Sequence, residues 1–172
     1  AQSDGLWAEK GKKSRPLKKI AETDAIFDEI HKVNLEADQD PTMLRISLDA
    51  KAPINIGSFS RSGLNRVVVK AFDHDFQSKT AKVTPYGIYL PQQRELYLYF
   101  TSSKVTSDFI VDCLSDFWTS IRERFPEVTT LVINQDNGPE NHSRRTQFMH
   151  RIADFTDRFG TAVKLAYYPP YH

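Results

Sequence analysis

The 172-residue chain has one cysteine, Cys113, so no disulfide can form within it. A lone thiol set in a helical pattern reads as a core residue of a protein kept in a reducing compartment, and weakly against catalytic use. An excess of one charge is also missing: 23 Lys and Arg stand against 22 Asp and Glu, a balance that neither favours nor excludes a nucleic-acid partner. No run approaches the roughly 18 apolar residues of a membrane span. The first nineteen residues have no apolar segment of the kind that marks a secretory signal. Three chemistries go with their missing motifs: there is no Cys/His spacing for zinc, no GxxxxGKS or GxxxxGKT phosphate loop and no GxSxG nucleophile elbow.

What is present suits one domain with one core. Residues 1–22 read as a basic linker or arm: in the first twenty, Lys10, Lys12, Lys13, Arg15, Lys18 and Lys19 face only Asp4 and Glu9, and Gly5, Gly11 and Pro16 interrupt any periodicity. Such an arm either follows a phosphate backbone or is a solvated tail. From residue 23 the pattern becomes regular. Thr23 is placed to cap a helix from Asp24 to about Glu36, with Ile26, Phe27, Ile30 and Val33 on one side and Asp38 to Pro41 as its break. Alternation over Met43 to Asp49 predicts a strand, and Val67 to Phe72 a second beyond a Gly/Ser-rich stretch. Tyr86 to Leu90 and Glu95 to Phe100 predict two more, joined as a hairpin by Pro91 to Arg94. Helices follow over Phe109 to Phe125 and from about Arg144 to Phe159, with Gly160 as a stop. Short strands over Leu131 to Ile133 and Val163 to Tyr168 alternate with them. Antiparallel strands first, then helix and strand in alternation, imply an α/β fold: a mixed sheet with helices packed on its faces.

Two carboxylates close hydrophobic strands directly before loops: Asp49, in Ser47-Leu48-Asp49-Ala50-Lys51, and Asp136, in Asn134-Gln135-Asp136-Asn137-Gly138-Pro139-Glu140-Asn141. Open α/β sheets bind ligands at such strand ends. If the strands are neighbours, the two acids share a hard divalent cation able to activate an oxygen for in-line attack on a phosphodiester. An Asp after a strand is also an ordinary turn former, and Asp-Asn-Gly is a good turn with no chemistry attached. Lys51 is a DNA-phosphate contact or an exposed loop lysine. Arg144 and Arg145 open a helix, where cations oppose the macrodipole unless a phosphate or carboxylate lies nearby, so DNA contact is open for them too. Glu140 reads as a residue near a helix N-terminus, Asp73, His74 and Asp75 as a solvated turn, and Phe117 and Trp118 as core aromatics.

Six stretches, in order, resemble one family: LRISLDAKAPINIGSFSRSG, KAFDHDF, VTPYGIYL, TSDFIVDCL, LVINQDNGPENHSRRTQFMHRIADF and KLAYYPPYH. Together they resemble the catalytic domain of bacterial insertion-sequence DDE transposases of the Rhodopirellula type, with Asp-Asn-Gly-Pro-Glu-Asn and Tyr-Tyr-Pro-Pro-Tyr-His as the specific segments. The resemblance implies an RNase H-like fold for residues 23–172 and a triad of two aspartates and a glutamate. Asp49 and Asp136 match the aspartates as catalytic and metal-binding residues. The third acid is expected beyond residue 172, on a C-terminal helix missing from this sequence, so the fragment is expected to bind metal weakly and to transfer strands little or not at all. The implied activity is DNA cleavage and strand transfer at insertion-sequence ends, with Mg²⁺ or Mn²⁺, two ions in a complete site. The implied partner is double-stranded DNA, transposon end and target, with self-association on it, in the bacterial cytoplasm at the nucleoid. An RNase H-like nuclease or resolvase, and a non-catalytic DNA- or partner-binding remnant, remain as alternatives.

Overall fold

A computed structural model describes residues 22–57 and 81–169. The basic arm, the strand expected over Val67 to Phe72, Asp73 to Asp75 and His172 therefore lie outside the described residues.

The chain opens with α1 (Thr23–Gln39), β1 (Met43–Ala50) and a two-residue β2 (Ile54–Asn55). The hairpin β3 (Lys82–Leu90) and β4 (Glu95–Thr101) comes next, then α2 (Ser107–Ile121), β5 (Thr130–Gln135), α3 (Thr146–Phe159) and β6 (Ala162–Tyr167). β1 is the pivot of the sheet. It pairs antiparallel with β3, Asp49 opposite Gly87, and parallel with β5, Ser47 opposite Asn134. β6 extends the parallel side beyond β5 and β4 the antiparallel side beyond β3, while β2 pairs with the first residues of β3.

Side-chain alternation divides β1 cleanly. Leu44, Ile46 and Leu48 are buried in the main core with Phe117 and Leu114 of α2 and Phe148 and Phe155 of α3. The opposite face carries α1: Arg45 forks onto Asp38 at 2.7 Å through both nitrogens, Asn134 Nδ2 donates to Asn34 Oδ1 at 2.9 Å, and Lys164 pairs with Glu36. Helices thus cover both faces. The β3–β4 part of the α1 face carries exposed Leu96, Leu98 and Phe100.

Four boundaries differ from the sequence expectation, each for a local reason. Thr23 does not cap α1; Glu22 precedes the helix, and the buried Thr23 hydroxyl has no partner. Asp38 does not break α1, because its carboxylate is held by Arg45 and the helix runs on to Gln39. The stop is Asp40, whose Oδ1 accepts from the Thr42 backbone N–H and hydroxyl, bonds that hold its carboxyl below the usual range. α2 starts at Ser107 under a true cap, with Thr106 Oγ1 accepting from Phe109 N, and gives way after Ile121 to a 3₁₀ turn at Arg122–Arg124. Arg144 and Arg145 do not open α3. Their N–H groups bond to Nδ1 and the carbonyl of His142, a turn that delays the helix to Thr146. Gly160, at φ 64°, ends α3 in the left-handed conformation a glycine takes without strain.

Cys113 is buried on α2, and burial, reinforced by Asp112 and Asp116, pushes its thiol up to about 12. At pH 8 a thiol-specific reagent is therefore expected to leave the folded protein unlabelled and to react fully once denaturant is added. Rapid labelling of the native chain would contradict this packing of α2.

Candidate active site

The parallel register of β1 and β5 decides how the two strand-end aspartates stand. Ser47 faces Asn134, and Asp49 and Asp136 each come two residues later. They occupy matched positions on adjacent strands, whose spacing is about 4.8 Å. The alternation that turns Arg45 and Asn134 toward α1 brings Asp49 out on that face, and Asp136 follows just past the end of β5. Both residues are exposed. Across β3, Asp49 is opposite Gly87, so no side chain crowds it from that position; Leu96 and Leu98 close over the glycine instead.

Asp136 begins a loop fixed by buried amides. Asn141, 6% exposed, donates from Nδ2 to Gln135 Oε1 at 3.0 Å and makes a longer contact to Asp136 Oδ1 at 3.4 Å. Tyr167 of β6 donates its hydroxyl to the Asn141 carbonyl at 2.7 Å, and Ser107 at the start of α2 donates to the Glu140 carbonyl at 2.6 Å. The loop is thereby tied to β5, β6 and α2 together. At Gly138 a Cβ would lie 3.0 Å from Asn141 Oδ1, 3.4 Å from Glu140 Oε2 and 3.5 Å from Asp136 Oδ1. Three side-chain oxygens therefore converge around a space that only a glycine leaves open.

The donor set suits a hard divalent cation: exposed carboxylate oxygens beside a buried amide oxygen, with no sulfur or imidazole among them. Lys51 provides a second sign of cation demand. Its ammonium bonds directly to Asp49 Oδ2, and that bond raises the lysine pKa. Among the described residues no group of three His, Cys, Asp or Glu side chains is arranged to hold a metal. An ion here would complete its shell with water or substrate oxygens.

Tyr86 lies behind the pair. It is 2% exposed, packs edge-on against Phe109, and its hydroxyl has no hydrogen-bond partner. Burial drives its pKa well up, with Cys113 and then the carboxylates of Asp136 and Asp49 adding to the rise, so the hydroxyl stays protonated and within electrostatic reach of both acids.

Among the expected site residues, the fold brings Asp49, Asp136 and Lys51 to one end of the sheet. Arg144 and Arg145 are exposed in the turn before α3, and their side chains make no ion pair among the described residues. Gln135 and Asn141, which hold the loop, escape a reading of the residues alone, although Asn141 stands in the Asp-Asn-Gly-Pro-Glu-Asn segment that marked the resemblance. Nothing in the sequence singles out Tyr86.

A family model described as the Rhodopirellula transposase DDE domain matches residues 2–172. No curated protein matches the sequence. Among solved structures, the chain is similar to the Mos1 transposase paired-end complex with left transposon end, at TM-score 0.58 and 11% identity, covering 96% of this chain and 48% of that one. It is also similar to the Mos1 mariner paired end complex with Mn, at TM-score 0.55 and 14% identity, over 96% and 49% of the two chains. The sequence thus spans about half the length of these structures. At such identities the likeness is one of fold, and it bears out the RNase H-like mixed sheet.

Proposed function

Because the chain belongs to the Rhodopirellula transposase DDE domain family, we propose that Asp49 and Asp136 hold divalent metal for cleavage and joining of DNA phosphodiesters at transposon ends. The observation that carries this reading is the parallel pairing of β1 with β5, in which Ser47 stands opposite Asn134 and each aspartate comes two residues further on, Asp136 just past the strand end. When bound, Mg²⁺ or Mn²⁺ supplies Lewis acidity toward phosphoryl oxygen and lowers the pKa of an attacking water or hydroxyl.

The remaining work falls to the chain. Asp49 and Asp136 bind the cation from adjacent strands. Gln135, Asn141, Ser107 and Tyr167 fix the loop that carries Asp136, so its carboxylate is presented with little reorganisation. Lys51 neutralises Asp49 and, with a cation on that carboxylate, would be free to contact a substrate phosphate. Support for DNA as substrate comes from the Mos1 structures, which are complexes with transposon ends, and one of them contains Mn. By the same likeness we propose that the protein works on paired DNA ends, as an assembly of more than one copy.

The test is calorimetric titration of Mn²⁺ and Mg²⁺ into the chain and into Asp49→Asn and Asp136→Asn. Removing one unit charge about 4 Å from a divalent ion in water costs about 2 kcal/mol, or about thirtyfold in affinity. Each variant is therefore expected to bind about thirtyfold more weakly while keeping its circular dichroism spectrum. Unchanged affinity in either would remove that aspartate from the site.

A further inference from the structure

Beyond Asp49 the sheet end opens into a groove of about 580 Å³. Its wall combines the residues after β1, the start of β3 and the loop between β4 and α2, so Lys51, Lys82 and Lys104 face one space together with the hydroxyls of Thr84, Ser102 and Ser103. Among the described residues Glu140 is the one acid lining it, and that carboxylate turns toward Gly138 beside Asp136.

Among the described residues the lysines are not committed elsewhere. Lys82 and Lys104 are exposed and make no ion pair among the described residues, and Lys51 is engaged only with Asp49. Three ammonium groups and three hydroxyls make a surface of donors, which suits anionic oxygen. Among the described residues no aromatic ring lines the groove, so they supply no platform on which bases could stack. Contacts of this type position a sugar–phosphate backbone and carry no sequence information.

We propose that this groove seats the backbone of the DNA strand leaving the carboxylate pair, with Lys82 and Lys104 as sequence-blind phosphate contacts. The proposal rests on DNA being the substrate, and it adds where the strand runs and which residues hold it. Lys51, at the junction of groove and carboxylates, takes the phosphate nearest the metal.

The experiment measures binding of the full 172-residue chain to two duplexes of unrelated sequence over a range of NaCl concentrations. The Lys82→Ala/Lys104→Ala protein is compared with Lys32→Ala/Arg158→Ala, which removes the same charge elsewhere on the surface. Each phosphate contact contributes about 0.9 to the slope of log K against log salt. The groove variant is expected to lose about 1.8 of that slope and to weaken on both duplexes by the same factor, while the control keeps its slope. Equal slopes in the two variants, weakening on only one duplex, or no DNA binding by the parent chain would overturn the proposal. Mn²⁺ titration of the same proteins separates it from the metal-site reading. Intact metal binding with an unchanged slope defeats the groove alone. A changed slope in a chain that binds no Mn²⁺ upholds the groove and defeats the metal site.

Discussion

Replacing Phe117 with alanine is expected to destabilise the protein by about 3–5 kcal/mol, the usual cost of emptying a buried aromatic site. Phe117 is fully buried on α2, where its ring meets Tyr97 of β4 edge-on at 5.0 Å between centroids. That contact spans the two layers of the core, since Tyr97 belongs to the sheet and Phe117 to the helix over it. The space left by the ring is bordered by well-packed elements: β4 is paired along its length to β3, and α2 is capped by Thr106. Little collapse can fill it, which puts the cost in the upper part of the range. Urea denaturation followed by far-UV circular dichroism measures it. A loss under 1 kcal/mol would mean that α2 shifts freely over the sheet, contrary to the packing described.

Asn141→Leu is expected to act on stability and on the site together. Leucine matches asparagine in side-chain heavy-atom number and branching but makes no hydrogen bonds, so Gln135 Oε1, on a side chain with no exposed surface, loses its amide partner. Stranding a buried acceptor costs about 1–3 kcal/mol. The contact from Asn141 to Asp136 goes as well, and removing a group that orients a metal ligand lowers affinity about 10–100-fold. Denaturation and Mn²⁺ titration on the same preparation test both halves. If stability falls while metal affinity holds, Asn141 supports the fold and has no part in positioning Asp136.

The sequence was legible where one period repeats for long enough. β1, the β3–β4 hairpin, α2, β5 and β6 follow from alternation or helical spacing, with errors confined to a few terminal residues. The errors arise where a particular hydrogen-bond partner decides. Asp38 reads as a breaker until Arg45 of β1 is seen to hold it, and Arg144 and Arg145 read as helical until His142 is seen to take their N–H groups. β2 is two residues long and exists through its pairing with Lys82 and Val83, beyond the reach of any periodicity. The site divides in the same way. Each aspartate is visible as a strand-end acid, but their adjacency depends on the parallel pairing of β1 with β5, a long-range fact that local pattern does not contain. Gln135 and Asn141 are polar residues buried by that same topology, and their side chains look like surface groups until the loop is closed.

The parallel pairing that aligns Asp49 with Asp136 also governs when the site comes into being. β3 and β4 are joined by a four-residue turn and can zip within microseconds, whereas β1 must wait for β5 across the hairpin and all of α2. The two carboxylates become neighbours only when that long-range closure is made. A cation that needs both then binds the finished chain and no earlier form, so its binding energy adds to native stability in full.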